Sequence, residues 1–387
     1  MAYNILIAHG GGPTAVINSS LQGVIEAARA SGDVDRIYAA RYGAEGILSG
    51  DLIDLTEAPA GSVDRLKYTP ASAIGSCRRK LSEADFPAVM ECFRKNDIRA
   101  FFYNGGNDSM DTCDKINGLA AREKLDVSVI GIPKTIDNDL NVTDHSPGYG
   151  SAARYAAISS AELALDAFAL PIHVVVLELM GRNSGWITAA GAMASRLTGC
   201  SQLVYLPEVG VDMDKMLSDI ESAYALGRGL LVTVSEGLCD TRGKPLAESG
   251  LVDGFGHSVP GGTAQFISER IIDRLGIKAR AEKPGLLGRA SMAYVSPVDR
   301  KEAYRAGCYA FESAHAGKTG GMVALRADRR VKYSCSMFLT PLSAVANIEK
   351  KFPAEWIVDG NSVADEFFGY MTPLIGGGLP EYCDFKI

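Results

Sequence analysis

The stretch Ile130-Gly131-Ile132-Pro133-Lys134-Thr135-Ile136-Asp137-Asn138-Asp139 decides how this chain is read. It follows Leu125-Asp126-Val127-Ser128-Val129, whose apolar and β-branched residues predict a buried strand ending at Pro133. In open parallel sheets, ligands bind where such strands end. From Lys134 to Asp139 the chain then offers a cation, a hydroxyl (Thr135) and two carboxylates (Asp137 and Asp139), with Asn138 between them to accept a tight turn. Phosphate chemistry needs such groups together: positive charge for phosphoryl oxygens, a base for an attacking hydroxyl, and carboxylate for magnesium or sugar hydroxyls. A capped turn built on Asp-Asn-Asp is the plain alternative, so partners elsewhere in the chain decide between the two.

Working outward, the same plan recurs. Asn4-Ile5-Leu6-Ile7-Ala8 reads as a strand that runs into Gly10-Gly11-Gly12-Pro13, and apolar residues at 17, 21, 24, 25 and 28 predict the helix that follows. The glycines let backbone approach a ligand, Pro13 suits a first helical turn, and a helix start presents N–H groups to an anion. The dinucleotide spacing G-x-G-x-x-G and the Walker lysine are both missing, so a tight turn stays open as a reading. Ala100-Phe101-Phe102-Tyr103 is a second strand, followed by Gly105-Gly106-Asn107-Asp108-Ser109 and a helix whose inner face is Met110, Cys113, Ile116 and Leu119. Asp144-His145-Ser146-Pro147-Gly148-Tyr149-Gly150 punctuates the chain, and an Ala-rich helix to about Leu170 follows. Ile172 to Leu179 is a near-continuous apolar strand of the type buried on both faces, ending at Met180-Gly181-Arg182. Leu230 to Val234 leads likewise to Ser235-Glu236-Gly237, and helical spacing returns around Phe266–Leu275 and Tyr304–Phe311. Strand and helix alternate throughout, which predicts an α/β fold of mostly parallel sheets.

Composition sets limits. At 387 residues the chain is long enough for two domains, and 47% hydrophobic with 22% charged residues describes a globular protein. A net charge of −7 argues against a nucleic-acid-binding surface, so an anionic ligand requires a local basic pocket; Arg78-Arg79-Lys80 is the densest basic run. No secretory signal or apolar membrane span is visible, which predicts a cytoplasmic enzyme without a membrane partner. The eight cysteines form no C-x-x-C pair, which predicts reduced thiols, no disulfide framework and no metal cluster.

Four strand-end loops therefore stand in order: Gly-Gly-Gly-Pro, Gly-Gly-Asn-Asp-Ser, Pro-Lys-Thr-Ile-Asp-Asn-Asp and Met-Gly-Arg. That ordered set resembles the phosphofructokinase family over nearly the whole chain, and within it the diphosphate-dependent branch. The resemblance implies two Rossmann-like three-layer domains with the active site in the cleft between them. It puts 1–147 plus about 290–345 in a donor-binding domain, and 148–289 plus about 346–387 in a sugar-phosphate-binding domain. The implied reaction is reversible transfer from diphosphate to fructose 6-phosphate, with Mg2+ as cofactor. Asp137 is implied as proton acceptor; Thr135, Asp139, Met180, Gly181, Arg182 and Glu236 as sugar-phosphate contacts; Gly11, Gly12, Gly106 and Arg78 as donor contacts.

Two positions bear on the donor. Relatives that use ATP commonly carry a small glycine where this chain has Asp108, and a carboxylate in a poorly solvated pocket there would repel an α-phosphate by on the order of several kcal/mol. Lys134, replacing a glycine of bacterial ATP enzymes, is expected to neutralise charge on diphosphate. Elsewhere the chain departs from the family pattern. Asn107 stands where an aspartate usually contacts magnesium, which makes Asp108 a second candidate ligand. Val16 replaces a glycine and disfavours positive φ there. Arg289 falls at a family histidine and is expected to clamp phosphate, with Tyr294 as the weaker candidate. Lys283 and His173 match residues that reach substrate phosphate from a neighbouring subunit, which implies a homodimer or homotetramer. An ATP-dependent 6-phosphofructokinase and a catalytically silent regulatory subunit of the same fold remain as alternatives; Asp108 speaks against the first and Asp137 against the second.

Overall fold

In a computed structural model of the chain, which describes residues 2–226, 229–252 and 258–383, the fold divides into two compact units. The first comprises Met1–Tyr149 and Pro297–Lys350, the second Gly150–Ser296 and Lys351–Ile387. Up to Tyr149 the strands are β1 (Tyr3–His9), β2 (Val34–Ala40), β3 (Leu52–Asp54), β4 (Ile98–Gly105) and β5 (Ser128–Pro133). The second unit supplies β6 (Val174–Leu179), β7 (Gln202–Tyr205), β8 (Leu230–Ser235), β9 (Glu248–Val252), β10 (Ser258–Pro260) and β11 (Ala279–Glu282). After the chain returns to the first unit it forms β12 (Gly321–Asp328) and β13 (Ser334–Pro341).

The first unit is a seven-stranded sheet in the order β13-β12-β5-β4-β1-β2-β3. Its five central strands are parallel, and antiparallel β3 and β13 close the two edges. Alternation along the strands builds two cores, because successive side chains point to opposite faces. Leu6, Phe101, Tyr103 and Val129 join Val89, Met90, Phe93, Met110, Cys113 and Ile116 of helices Phe86–Lys95 and Asn107–Arg122 on one face. Ile5, Ile7, Phe102, Ile130 and Val323 meet Leu21, Val24, Ile25, Ala306, Ala310 and Phe311 on the other. Each large apolar side chain so buried contributes about 1.5–3 kcal/mol. The result is three layers, and the parallel strands bring the loops after β1, β4 and β5 to one edge of the sheet.

The second unit repeats this on a smaller scale, with a parallel sheet ordered β11-β6-β8-β7 and an antiparallel β9–β10 pair. Val174, Val176, Val232 and Val234 pack with Met216, Leu217, Ile267 and Ile271 from helices Met213–Tyr224 and Thr263–Leu275. The Ala-rich run predicted to follow Tyr149 is the helix Tyr149–Ala169, with Ala153, Ala156, Ala157 and Ala161 fully buried. No helix among the described residues is long and apolar enough to cross a membrane. One local expectation is corrected: the first helix runs from Ile17 to Ser31, so Pro13 lies ahead of it rather than in its first turn. Val16, with φ −122°, caps that helix in ordinary backbone geometry.

The returning helix Pro297–His315 packs directly on Ile17–Ser31, and the crossing is as close as backbone allows. A Cβ on Gly307 would stand 2.0 Å from the Ser20 carbonyl oxygen, and one on Gly23 would stand 2.1 Å from that of Tyr304. Gly307→Ala is expected to push the helices apart at a cost of about 1–3 kcal/mol. A thermal melt checks this, and an unchanged midpoint would mean that the helices do not meet this closely.

Candidate active site

In the first unit, strand register assembles the site. His9 pairs with Asn104 and Gly105 with Pro133, while the Gly10 N–H donates to Asn104 O (2.9 Å) and the Lys134 N–H to Gly105 O (3.1 Å). The Gly10–Gly12 turn, the Gly105–Asp108 turn and the start of Lys134–Asp139 are therefore neighbours. Lys134 then reaches across the end of β4: its Nζ donates to the carbonyls of Gly10 (2.8 Å) and Gly12 (2.7 Å). The side chain is buried, and an ammonium out of water is tolerated only when its protons are taken up in this way. Gly11 adopts φ +76°, which favours glycine, and a Cβ there would lie in tight contact with Nζ at 3.3 Å.

A second loop is stitched to that turn. The Gly11 N–H donates to Cys77 O (2.8 Å), and Ser76 Oγ donates to Gly11 O (2.7 Å). This corrects the expectation that the Gly11 N–H cradles donor phosphate; the Gly12 N–H, which has no partner among the described residues, remains for that role. Ser72 Oγ donates to Gly75 O (2.7 Å), so its lone pair accepts from His9 Nδ1 (2.8 Å), which fixes the tautomer with the proton on Nδ1. Burial, reinforced by the nearby Lys134 charge, pulls the His9 pKa down from 6.5 to about 3 and keeps the ring neutral.

The basic run separates into three roles. Arg79 pairs with Glu45 (3.1 Å) and Asp85 (2.7 Å), and Lys80 pairs with Asp108 at 2.9 Å. Arg78 is exposed and forms no ion pair among the described residues, so its guanidinium is the one open to an anionic ligand. Asp108 itself is 76% exposed in the first turn of helix Asn107–Arg122. The expectation of a poorly solvated carboxylate is thereby corrected: water and the Lys80 charge screen it, and repulsion of a phosphate at 4 Å falls to about 1 kcal/mol. Its bulk at that position is unaffected by screening. The Asn107 amide faces the carbonyls of Val345 (2.9 Å) and Ile348 (3.2 Å), which assigns its nitrogen to that side and leaves its oxygen for a cation.

Beyond Lys134, the loop is held by its own polar groups. Thr135 Oγ1 accepts from the Asp137 N–H (3.1 Å), and Asn138, at φ +53°, accepts from the Ser146 N–H (3.0 Å). Burial raises the Asp139 pKa against the lowering effect of the Thr135 hydroxyl, and the Asp139 carbonyl accepts from the Lys350 N–H (2.7 Å). The Lys350 ammonium donates to the carbonyls of Thr143 (3.1 Å) and Asp144 (2.8 Å), and burial brings its pKa down to about 8. The backbones of Asp139 and Lys350 are thus tied together, and Asp137 is partly exposed.

In the second unit, Leu179 pairs with Ser235, and the Glu236 N–H donates to Leu179 O (3.0 Å). Glu236 Oε1 accepts from the Gly181 N–H (3.4 Å), so Met180, Gly181, Arg182 and Glu236 form one cluster. Arg182 is exposed, with no ion pair among the described residues. Glu208, absent from the sequence reading, props this turn by accepting from the N–H groups of Gly185 (2.8 Å) and Phe352 (3.2 Å), and burial raises its pKa. Arg289 lies in the short helix Leu287–Ala290, partly buried. Three further candidates are placed here. Lys283 is paired with Glu178, a buried carboxylate that also accepts from the Ala264 N–H (3.0 Å), while the lysine side chain stays 46% exposed. His173 is buried at the start of the β6 segment, 2% exposed, and so is not offered to a neighbouring subunit. The Tyr294 hydroxyl donates to Glu162 (2.9 Å).

Comparison with known proteins gives concordant results. The family model described as Phosphofructokinase matches residues 4–314. A pyrophosphate–fructose 6-phosphate 1-phosphotransferase of Halomonas elongata is 39% identical over 386 residues, covering 97% of this chain and 92% of that protein. One of the same description from Methylococcus capsulatus is 39% identical over 400 residues, covering 98% and 95%. The crystal structure of a pyrophosphate-dependent phosphofructokinase from Nitrosospira multiformis superposes with a TM-score of 0.89 at 37% identity, covering 100% of this chain and 95% of that one.

His9 makes a prediction with a definite sign. Its folded pKa is depressed to about 3, so stability is full above 6.5 and is lost as pH falls below that, by about 2 kcal/mol at pH 5. His9→Asn, which keeps a donor toward Ser72, should flatten the dependence of denaturation midpoint on pH between 6.5 and 4. Equal slopes for the two proteins would mean that His9 titrates normally in the fold.

Proposed function

The chain belongs to the phosphofructokinase family, and we infer that it is an enzyme transferring a phosphoryl group reversibly from diphosphate to the 1-hydroxyl of fructose 6-phosphate. The observation that carries this reading is the strand-end cluster of the first unit. Its buried Lys134 charge lies against the Gly10–Gly12 turn, the loop bonded to that turn carries Arg78, which has no ion pair among the described residues, and Asp137 stands two residues past Thr135.

Each group has one task. The Gly12 N–H, Gly106 and Arg78 bind diphosphate, and the Lys134 charge favours the accumulation of negative charge as transfer proceeds. Asp137 accepts the proton of the sugar 1-hydroxyl while that oxygen forms its bond to phosphorus; the bridging P–O bond breaks and orthophosphate leaves with the electron pair. Thr135 and Asp139 shape the Asp137 loop, and Met180, Gly181, Arg182, Glu236 and Arg289 receive the sugar phosphate. Magnesium prefers oxygen ligands and shares its shell with substrate phosphates, so the exposed Asp108 carboxylate and the Asn107 amide oxygen suit it. Held there with diphosphate, it would supply neutralisation of the donor's charge. Asp108 also occupies the place where ATP-using relatives carry glycine, and its volume, more than its screened charge, turns the α-phosphate of a nucleotide away.

Fructose 6-phosphate offered with diphosphate should yield fructose 1,6-bisphosphate and orthophosphate, with ATP slower by a factor of about 100 or more; faster turnover with ATP would overturn the donor assignment. Asp137→Ser should lower kcat by a factor of about 100 to 10,000 with KM largely kept. Asp108→Gly should open measurable turnover with ATP, and a folded variant with no such gain would show that this side chain is not the gate.

A further inference from the structure

Three residues far apart in sequence converge inside the first unit: His145, in the loop after Asp139; Glu302, in helix Pro297–His315; and Cys335, on the edge strand β13. One ligand-type atom from each lies within 4.8 Å of the other two. His145 and Glu302 are buried, and their Nε2 and Oε2 are 2.7 Å apart. We propose that His145, Glu302 and Cys335 form a binding site for one divalent transition-metal ion of the zinc class, separate from the phosphoryl-transfer centre and independent of the function inferred above.

The donor set selects the ion. Imidazole nitrogen, carboxylate oxygen and thiolate sulfur together are the ligands of zinc-like ions; magnesium and calcium take oxygen alone. Ligand atoms around tetrahedral zinc stand roughly 3.3 to 3.7 Å apart, so admitting the ion needs His145 and Glu302 to separate by less than an ångström, with water in the fourth position.

The surroundings are those that orient metal ligands. His145 Nδ1 faces Asp144 Oδ1 at 2.8 Å, the carboxylate–histidine arrangement that directs Nε2 toward a metal. Asp144 is itself gripped by both Arg329 amino groups (2.7 and 2.8 Å), and Tyr333 donates to the second Glu302 oxygen (2.7 Å). Charge also balances. A divalent ion would take the place of the proton shared between His145 Nε2 and Glu302 Oε2 and of the Cys335 thiol proton, which leaves the net charge unchanged. Spacing in the sequence could not reveal this, since 157 residues separate His145 from Glu302. The absence of C-x-x-C pairs therefore does not exclude a metal site here.

An ion bound there would tie the loop after the catalytic segment to helix Pro297–His315 and to β13. The Ser146 N–H bonds to Asn138 and the Thr135 N–H to Pro147 O (3.2 Å), so His145 is already joined to that segment.

The test uses full-length protein stripped of transition metals, with millimolar Mg2+ present and Co2+ as the optical probe. One equivalent of Co2+ should give thiolate-to-cobalt absorption in the near ultraviolet and tetrahedral bands in the visible, displaced by Zn2+. Glu302→Gln should weaken binding at least tenfold, and Cys335→Ser should remove the thiolate band. Zn2+ at one equivalent should raise the melting temperature of the wild type and not that of Cys335→Ser. Should Cys335→Ser fail to fold, alkylation mapping of the wild type decides: Zn2+ must protect Cys335 selectively among the eight cysteines. No thiolate band at one equivalent, a band surviving in Cys335→Ser, or unprotected Cys335 would each overturn the proposal.

Discussion

A single buried ammonium group organises the first unit. Lys134 leaves the end of β5, passes over β4 and places its Nζ against the Gly10 and Gly12 carbonyls. Those two bonds offset a desolvation cost of several kcal/mol, and they turn the backbone after β1 so that Gly11 must take a positive φ. The Gly75–Arg78 loop is fastened to the same turn through Gly11 and Ser76, and His9, beneath it, stays neutral because burial and this cation oppose a second positive charge. Remove the ammonium, and the turn, the loop carrying Arg78 and the local charge seen by a diphosphate all change together.

The gate proposed at Asp108 has two components that differ in weight, occupied space and charge. With the side chain three-quarters exposed and Lys80 beside it, charge repulsion is about 1 kcal/mol, a factor of roughly five in binding. In the proposed gate, exclusion of a nucleotide would therefore rest mainly on volume. Lys80 gains a role from this: it holds the Asp108 carboxylate in one direction while remaining solvated, and the pair raises its own ammonium pKa.

Much of this was legible in the sequence. The strand ends predicted from apolar runs fall within two residues of where β1, β4, β5, β6 and β8 end, because parallel strands covered on both faces leave a period-free apolar signature that turn residues interrupt sharply. The grouping of Lys134, Thr135, Asp137 and Asp139 needed only their closeness in the chain. What sequence could not supply was solvation and long-range pairing. Nothing near Asp108 announces that it faces water, nothing near Lys283 announces Glu178 across the β6–β11 edge, and His173 looks the same whether buried or presented. The same limit hid His9, whose neutral state depends on Ser72 and Lys134, and Glu302, which meets His145 only after the chain has returned to the first unit.

The most direct test of this account is Lys134→Met, which keeps the length of the side chain and removes its charge and donors. The account predicts a folded protein with a lower melting temperature and a diphosphate-dependent kcat reduced by a factor of about 100 or more. A folded variant whose turnover stays within a few-fold of the wild type would contradict it.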